Sequence, residues 1–228
     1  MADVAFRKRI ARLAARFLRW LTHRLYNELA WAYDPVAWLV SLGRWAQWRR
    51  LALAHLPGRV LELGFGTGEL LLEMRRRGIA AVGLELSPAM HRVTARKLRC
   101  RGLSAPRVRA DAQAMPFADA SFDAVVATFP AEYILRPEVM AEARRVLRPG
   151  LPLVVAGLYV ESDSPLLRLL AWLVSGDAHR AEDRFRQAAE SAGLGVEQVT
   201  ECGRGFRLPV FLLRPRQTAP GEADSDSG

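Results

Sequence analysis

Long apolar runs are missing from this 228-residue chain. No stretch of 18 apolar residues occurs, so no membrane-spanning helix is expected. Cysteine is scarce: Cys100 and Cys202 stand far apart, with no C-x-x-C and no histidine at metal spacing. That pattern excludes a disulfide framework or a zinc cluster, and both thiols are expected to be buried in a reducing compartment. The first 24 residues lack an uninterrupted apolar core, so no secretory signal is expected and the protein is expected to be cytoplasmic. The four histidines (His23, His55, His91 and His179) have no acidic or cysteine partner at ligand spacing, and packing or surface roles are expected for all of them. Lysine is nearly absent, with Lys8 and Lys97 the only two among 33 basic residues.

What is present suits a stable globular chain, with 50% apolar and 25% charged residues. The net charge of +9 is localised: the first 50 residues hold ten basic side chains against three acidic ones, which is +7 of the total. Within residues 4–31, Phe6, Ile10, Leu13, Phe17, Leu21 and Leu25 recur at helical spacing, with Arg9, Arg12, Arg16 and Arg19 on the other side. Such a helix can dock on its own domain, lie on an anionic membrane through residues 1–24, or follow RNA phosphates. Nucleic acid is the least expected partner, because no aromatics interleave with the basic face.

Asp34-Pro35 is expected to interrupt that helix, and a Trp-rich helix is expected over 36–54, holding Trp38, Trp45 and Trp48. After Pro57-Gly58 the rhythm changes to short apolar strands alternating with helices. Strands are expected at 59–63, 80–85, 107–110, 122–128 and 153–160, with helices at 67–77, 88–100 and 137–147 between them. This alternation predicts a doubly wound, mostly parallel α/β sheet covered on both faces. An apolar helical segment is expected over 165–174 and an amphipathic helix over 179–192. Strands at 196–202 and 206–213 are close enough to form an antiparallel hairpin. The expected organisation is a helical extension over 1–56, a ligand-binding domain over 57–216, and a disordered tail over 217–228 (QTAPGEADSDSG).

The chemistry concentrates at strand ends. Glu62-Leu-Gly64-Phe-Gly66-Thr-Gly68 turns from the first strand into a helix, where glycines allow positive φ and close backbone approach. The third position of a G-x-G-x-x-G fingerprint is Glu69, which would crowd the helix–strand packing and repel a pyrophosphate. The loop therefore suits a ligand without phosphates. Glu85 lies 21 residues after Gly64 and can accept two hydrogen bonds from a ribose diol. Asp111 can accept from an exocyclic adenine amine, and Glu62 can hold an ammonium group. Together they describe a pocket for a cationic nucleoside.

These motifs resemble those of the class I S-adenosylmethionine-dependent methyltransferases over about residues 33–213. The E/D-x-G-x-G-x-G motif is matched by Glu62 to Gly68, the ribose acid by Glu85, the adenine-side acid by Asp111, and the fifth-strand entry by Arg145-Val-Leu-Arg-Pro149-Gly150. The resemblance implies a seven-stranded Rossmann-like sheet of order 3-2-1-4-5-7-6. It also implies that S-adenosylmethionine is held by Glu62, Gly64, Gly66, Gly68 and Glu85, with Leu86, Asp111, Ala112 and Phe129 completing the site. The implied acceptor is small or lipid-like, the product S-adenosylhomocysteine, and no metal is required.

A closer likeness is to the ubiquinone/menaquinone C-methyltransferases, whose Y-D-x-M-N-x-x-L-S-x-x-x-H-x-x-W motif aligns with Tyr33 to Trp48. Ala37 and Trp45 replace the motif's Asn and His, and Phe129-Pro-Ala-Glu-Tyr133 replaces F-G-L-R-N. The likeness therefore implies the scaffold but not the quinone. Tyr33 is expected either to cap the ligand or to fill the seam beside it. Glu132 and Tyr133 are candidates for a catalytic base. The competing readings are an RNA methyltransferase, an NAD-dependent oxidoreductase, and a nucleotide-binding protein without activity.

Overall fold

A computed structural model describes residues 24, 28–164, 178–203 and 205–216. The basic stripe of residues 1–23, the apolar segment at 165–174 and the tail at 217–228 lie outside the described residues.

After a 3-10 turn (Ala30–Ala32), the chain forms α1 (Tyr33–Val40) and α2 (Trp45–Leu51), then a second 3-10 turn (Ala52–His55). The helix that Asp34-Pro35 is expected to interrupt lies almost wholly outside the described residues. Asp34-Pro35 itself falls in the first turn of α1, where proline's missing N–H is tolerated. Leu42 and Gly43, both at positive φ (52° and 80°), split the helix expected over 36–54. Ser41 then accepts the Trp45 N–H on its Oγ at 3.0 Å and starts α2.

The sheet follows: β1 (Val60–Leu63), α3 (Glu69–Arg76), β2 (Ala81–Leu84), α4 (Pro88–Cys100), β3 (Arg107–Val108), β4 (Ala124–Thr128), α5 (Pro137–Val146), β5 (Leu153–Ala156), β6 (Glu161–Ser162), α6 (Ala178–Ser191), β7 (Leu194–Gly203) and β8 (Phe206–Pro215). Pro88 occupies the first turn of α4, and Ser87 caps it by accepting the Met90 N–H at 3.3 Å. Strands β3, β2, β1, β4 and β5 pair in that order, all parallel. β8 runs antiparallel to β5 and pairs along its full length with β7, so the hairpin closes the sheet.

The expected order 3-2-1-4-5-7-6 therefore holds once β6 is placed. β6 pairs with Phe206 and Arg207 on the same edge of β8 that β5 occupies at Val210 to Leu213. It extends the line of β5 after a break that begins at Gly157 (φ 80°), where the strand expected over 153–160 is cut short.

Alternation along the strands builds two cores. Leu61, Leu63, Val125, Val155 and Phe211 face α5 and α6 through Val139, Met140 and Phe185. Val60, Val126, Val154, Leu208 and Val210 face α2, α3 and α4 through Trp48, Leu70, Leu71, Met74 and Leu98. Full burial of a large apolar side chain contributes roughly 1.5–3 kcal/mol, so both layers anchor the strand ends firmly.

The expectation for the thiols fails: Cys100 and Cys202 are exposed, because one ends α4 and the other lies on the outermost strand. His55 keeps a packing or surface role, paired with Glu201 Oε1 at 2.8 Å, a partner brought 146 positions along the chain by the β7 hairpin. No helix among the described residues is long and apolar enough to cross a membrane.

Candidate active site

The carboxyl ends of β1, β2, β3 and β4 open on one edge of the sheet, where open α/β folds bind ligands. The loop leaving β1 holds Gly64, Gly66 and Gly68 at φ of +63°, +52° and +76°. A Cβ on Gly68 would sit 2.3 Å from Thr94 Cγ2, so this glycine lets the loop press against α4. A Cβ on Gly64 would sit 2.7 Å from the Tyr133 hydroxyl. Gly66 has only a backbone oxygen at 4.0 Å, so its outer side is open to a ligand.

Glu85, 6% exposed, is gripped by this loop and by the start of α4. Its Oε2 accepts the Gly66 N–H at 3.0 Å and its Oε1 the Ser87 N–H at 2.8 Å. A carboxylate offers about four acceptor sites, so this one keeps capacity for a diol. His91 Nε2 lies 3.0 Å from the Glu85 carbonyl oxygen and its ring meets Phe65 edge-on, a packing role.

Glu62 is the unusual group. It is 2% exposed, and its Oε2 has no hydrogen-bond partner. Burial raises its pKa from 4.5 to about 8. The nearby Arg49 charge and the Leu71 N–H work against that rise, and Glu85 adds to it. A buried acid with an empty acceptor position fits a ligand cation.

The structure thus brings Glu62, Gly64, Gly66, Gly68 and Glu85 together. Leu86 (57% exposed), Asp111 and Ala112 follow on the adjacent strand ends. Asp111 is exposed and accepts the Gln113 N–H at 2.9 Å and its Nε2 at 3.1 Å. Phe129 directly follows β4 on the same sheet edge. Its positive φ of 49°, uncommon for a bulky residue, turns the ring onto Trp45 at 4.0 Å and Trp48 at 6.0 Å. It joins an aromatic cluster beside the glycine loop.

Neither base candidate has a base's environment. Tyr133 donates its hydroxyl to the Leu63 carbonyl at 3.1 Å, and burial, with Glu85 and Glu62 nearby, pushes its pKa upward, so the phenol stays neutral. Glu132 is largely exposed beside Arg184. Tyr33 packs with Ala30, Ala89, Met90 and Val93 at the seam between α1 and α4.

Sequence reasoning missed how the extension is tied in. Asp34 accepts from Thr67 Oγ1 at 2.6 Å and from Lys97, and Lys97 also reaches Glu69 Oε1 at 2.7 Å. It missed Arg49 as well, which is 8% exposed and lies over the Trp45 ring at 5.5 Å. Nothing in local spacing marks either connection. No group of three or more potential metal ligands occurs among the described residues.

Comparison with known proteins agrees with this geometry. A family model described as a methyltransferase domain matches residues 60–150. A demethylmenaquinone methyltransferase of Thermus thermophilus is 40% identical over 141 residues, covering 58% of this chain and 63% of the relative. This chain thus spans less than two thirds of that relative's length. A demethylmenaquinone methyltransferase of a Mycobacterium species (strain KMS) is 34% identical over 200 residues, covering 86% and 83%. The crystal structure of an S-adenosylmethionine-dependent methyltransferase from Aquifex aeolicus shares the fold, with a TM-score of 0.56 at 17% identity over 75% of this chain and 92% of that one.

Proposed function

We propose that this chain, which belongs to the class I S-adenosylmethionine-dependent methyltransferases, transfers the methyl group of S-adenosylmethionine to a small, lipid-like acceptor of quinol-like chemistry. The observation that carries the reading is the pair of buried acids around the left-handed glycine loop. Glu62 lacks a partner and Glu85 is held by two backbone amides with acceptor capacity to spare.

The cofactor supplies a methyl group already activated on a sulfonium, so the protein's task is alignment. In this reading Glu62 binds the α-ammonium, Glu85 the ribose hydroxyls, and the open side of Gly66 admits the ligand backbone. Asp111 and Ala112, with Leu86, border the adenine. Holding acceptor and methyl in line can lower the barrier by several kcal/mol without a protein nucleophile. Tyr133, a neutral phenol, orients the loop through the Leu63 carbonyl and removes no proton.

We assign the acceptor to the aromatic side of the cleft. Phe129 and Trp45, both partly buried and backed by Trp48, provide flat apolar surfaces suited to a ring. Ala37 and Trp45 stand where the quinone methyltransferases carry Asn and His, so polar recognition of the ring differs here. The relatives' printed names favour an acceptor of the demethylmenaquinone kind. Glu69, ion-paired to Lys97 at the start of α3, disfavours a pyrophosphate and with it the oxidoreductase reading.

We further propose that residues 57–216 carry cofactor binding, that residues 1–56 form an extension over the site, and that the protein works in the cytoplasm. Titration calorimetry with S-adenosylmethionine and S-adenosylhomocysteine tests the first half of the reading, and absence of binding at high micromolar ligand defeats it. Transfer of labelled methyl to a demethylmenaquinol analogue, with no transfer to RNA, tests the acceptor.

A further inference from the structure

Five buried side-chain polar atoms have no hydrogen-bond partner among the described residues, and three of them lie on one helix. Trp45 Nε1, Trp48 Nε1 and Arg49 Nε are donors at positions i, i+3 and i+4 of α2, which place them on one helical face. The fourth is the acceptor Glu62 Oε2. α2 packs on α3, the helix that begins where the glycine loop ends. Arg49 lies over the Trp45 ring, Trp45 meets Trp48 edge-on at 6.1 Å, and the Arg49 charge acts on the Glu62 carboxyl. Yet Arg49 and Glu62 make no direct ion pair.

Unpaired buried donors are costly, and a buried guanidinium more so. A buried guanidinium donor acting on a lone buried acceptor, with two further donors on the same helix, is complementary to a single kind of group. A carboxylate needs only donors and an ammonium needs only acceptors, so an α-amino acid head group satisfies both sets. Resting on the cofactor reading above, we infer that Arg49, aided by the indole N–H groups of α2, binds the α-carboxylate of the cofactor's amino-acid end while Glu62 takes its α-ammonium. Arg49 is thereby a cofactor-binding residue supplied by the N-terminal extension. The extension completes the site instead of merely covering it, and cofactor binding draws α2 and the glycine loop together.

Calorimetry with three ligands tests this without any measurement of activity. The ligands are S-adenosylhomocysteine, its decarboxylated counterpart, and 5′-methylthioadenosine, which lacks the whole amino-acid end. The wild-type chain should favour S-adenosylhomocysteine over the decarboxylated compound by about tenfold to a hundredfold, the effect of a charge-assisted hydrogen bond. Arg49→Met should lose most of that preference while keeping its affinity for methylthioadenosine within about twofold. Arg49→Lys should keep part of the preference, and Trp45→Phe should reduce it.

Equal preference in Arg49→Met and the wild type overturns the inference. So does a wild-type chain that binds the decarboxylated ligand as tightly as the full one, a result that needs no folded variant. A wild-type chain that binds none of the three defeats the cofactor reading itself, which keeps the two failures distinguishable.

Discussion

Cofactor binding should expel a proton from Glu62. With a pKa of about 8, about nine-tenths of the folded molecules carry this carboxyl protonated at pH 7. An α-ammonium placed against Oε2 favours the carboxylate, so docking should release about 0.9 proton per site. Calorimetry in buffers of different ionisation enthalpy reads that number as a slope. Affinity should rise close to tenfold per pH unit below pH 7 and level off above 8. The same shift governs stability. Between 4.5 and about 8 the folded state holds a proton that the unfolded state has lost, so stability falls as pH rises. At 1.36 kcal/mol per unit the full window amounts to about 4–5 kcal/mol. Glu62→Gln is neutral at every pH and should show neither the proton release nor this fall in stability, and it should bind S-adenosylhomocysteine more weakly. Denaturant titrations at pH 5, 6.5 and 8 supply the stability curves. Zero proton release by the wild type, or parallel curves for the two proteins, refutes the reasoning.

Three further outcomes follow from the contacts. Glu85→Ala removes the acceptor of two loop amides and the proposed diol contact, so S-adenosylhomocysteine affinity should fall about tenfold to a hundredfold and the melting temperature should drop even without ligand. Gly68→Ala puts a Cβ 2.3 Å from Thr94 Cγ2 at a φ of +76° and should cost about 1–3 kcal/mol; adding Thr94→Ser, which deletes that methyl but keeps the Oγ1 bond to the Gly66 carbonyl, should recover part of the loss. Arg145 donates to Glu142, Asp119 and the carbonyls of Met115 and Phe117, so Arg145→Met should destabilise by about 1–3 kcal/mol at neutral pH. Its bond to Glu142 holds that carboxyl below the usual range, so the wild-type advantage should be full above about pH 4.5 and shrink as acid protonates Glu142, leaving the share owed to the two carbonyls.

The parts of the site that could be read from the sequence are those built by neighbours in the chain. A strand, a glycine turn and a helix must follow within a few residues, so Glu62 to Gly68 fixes its own geometry. Each βα crossover then returns the next acid to the same sheet edge, which is why Glu85 and Asp111 were legible from their spacing alone. The hairpin at the sheet edge was legible for the same reason, since two strands only a turn apart have one way to pair. Local rules misled where tertiary contacts override them. The helix expected over 36–54 is split by Leu42 and Gly43, and Pro35 lies in the first turn of its first half. Cys100 and Cys202 looked like core thiols on residue type alone, but their places at a helix end and on the outer strand leave them in solvent.

What stayed hidden is whatever joins distant segments. Asp34 to Thr67 and Lys97, Trp45 to Phe129, and Arg49 beside Glu62 each link the extension to the sheet, and none has a spacing that a pattern could detect. An apolar residue at position 49 would remove a cation that opposes protonation of the Glu62 carboxyl, and its pKa would climb further. The unpaired Arg49 of α2 and the unpaired acid of β1 therefore have to be considered together. The low dielectric that makes each of them costly alone should make a ligand bearing both opposite charges bind strongly between them.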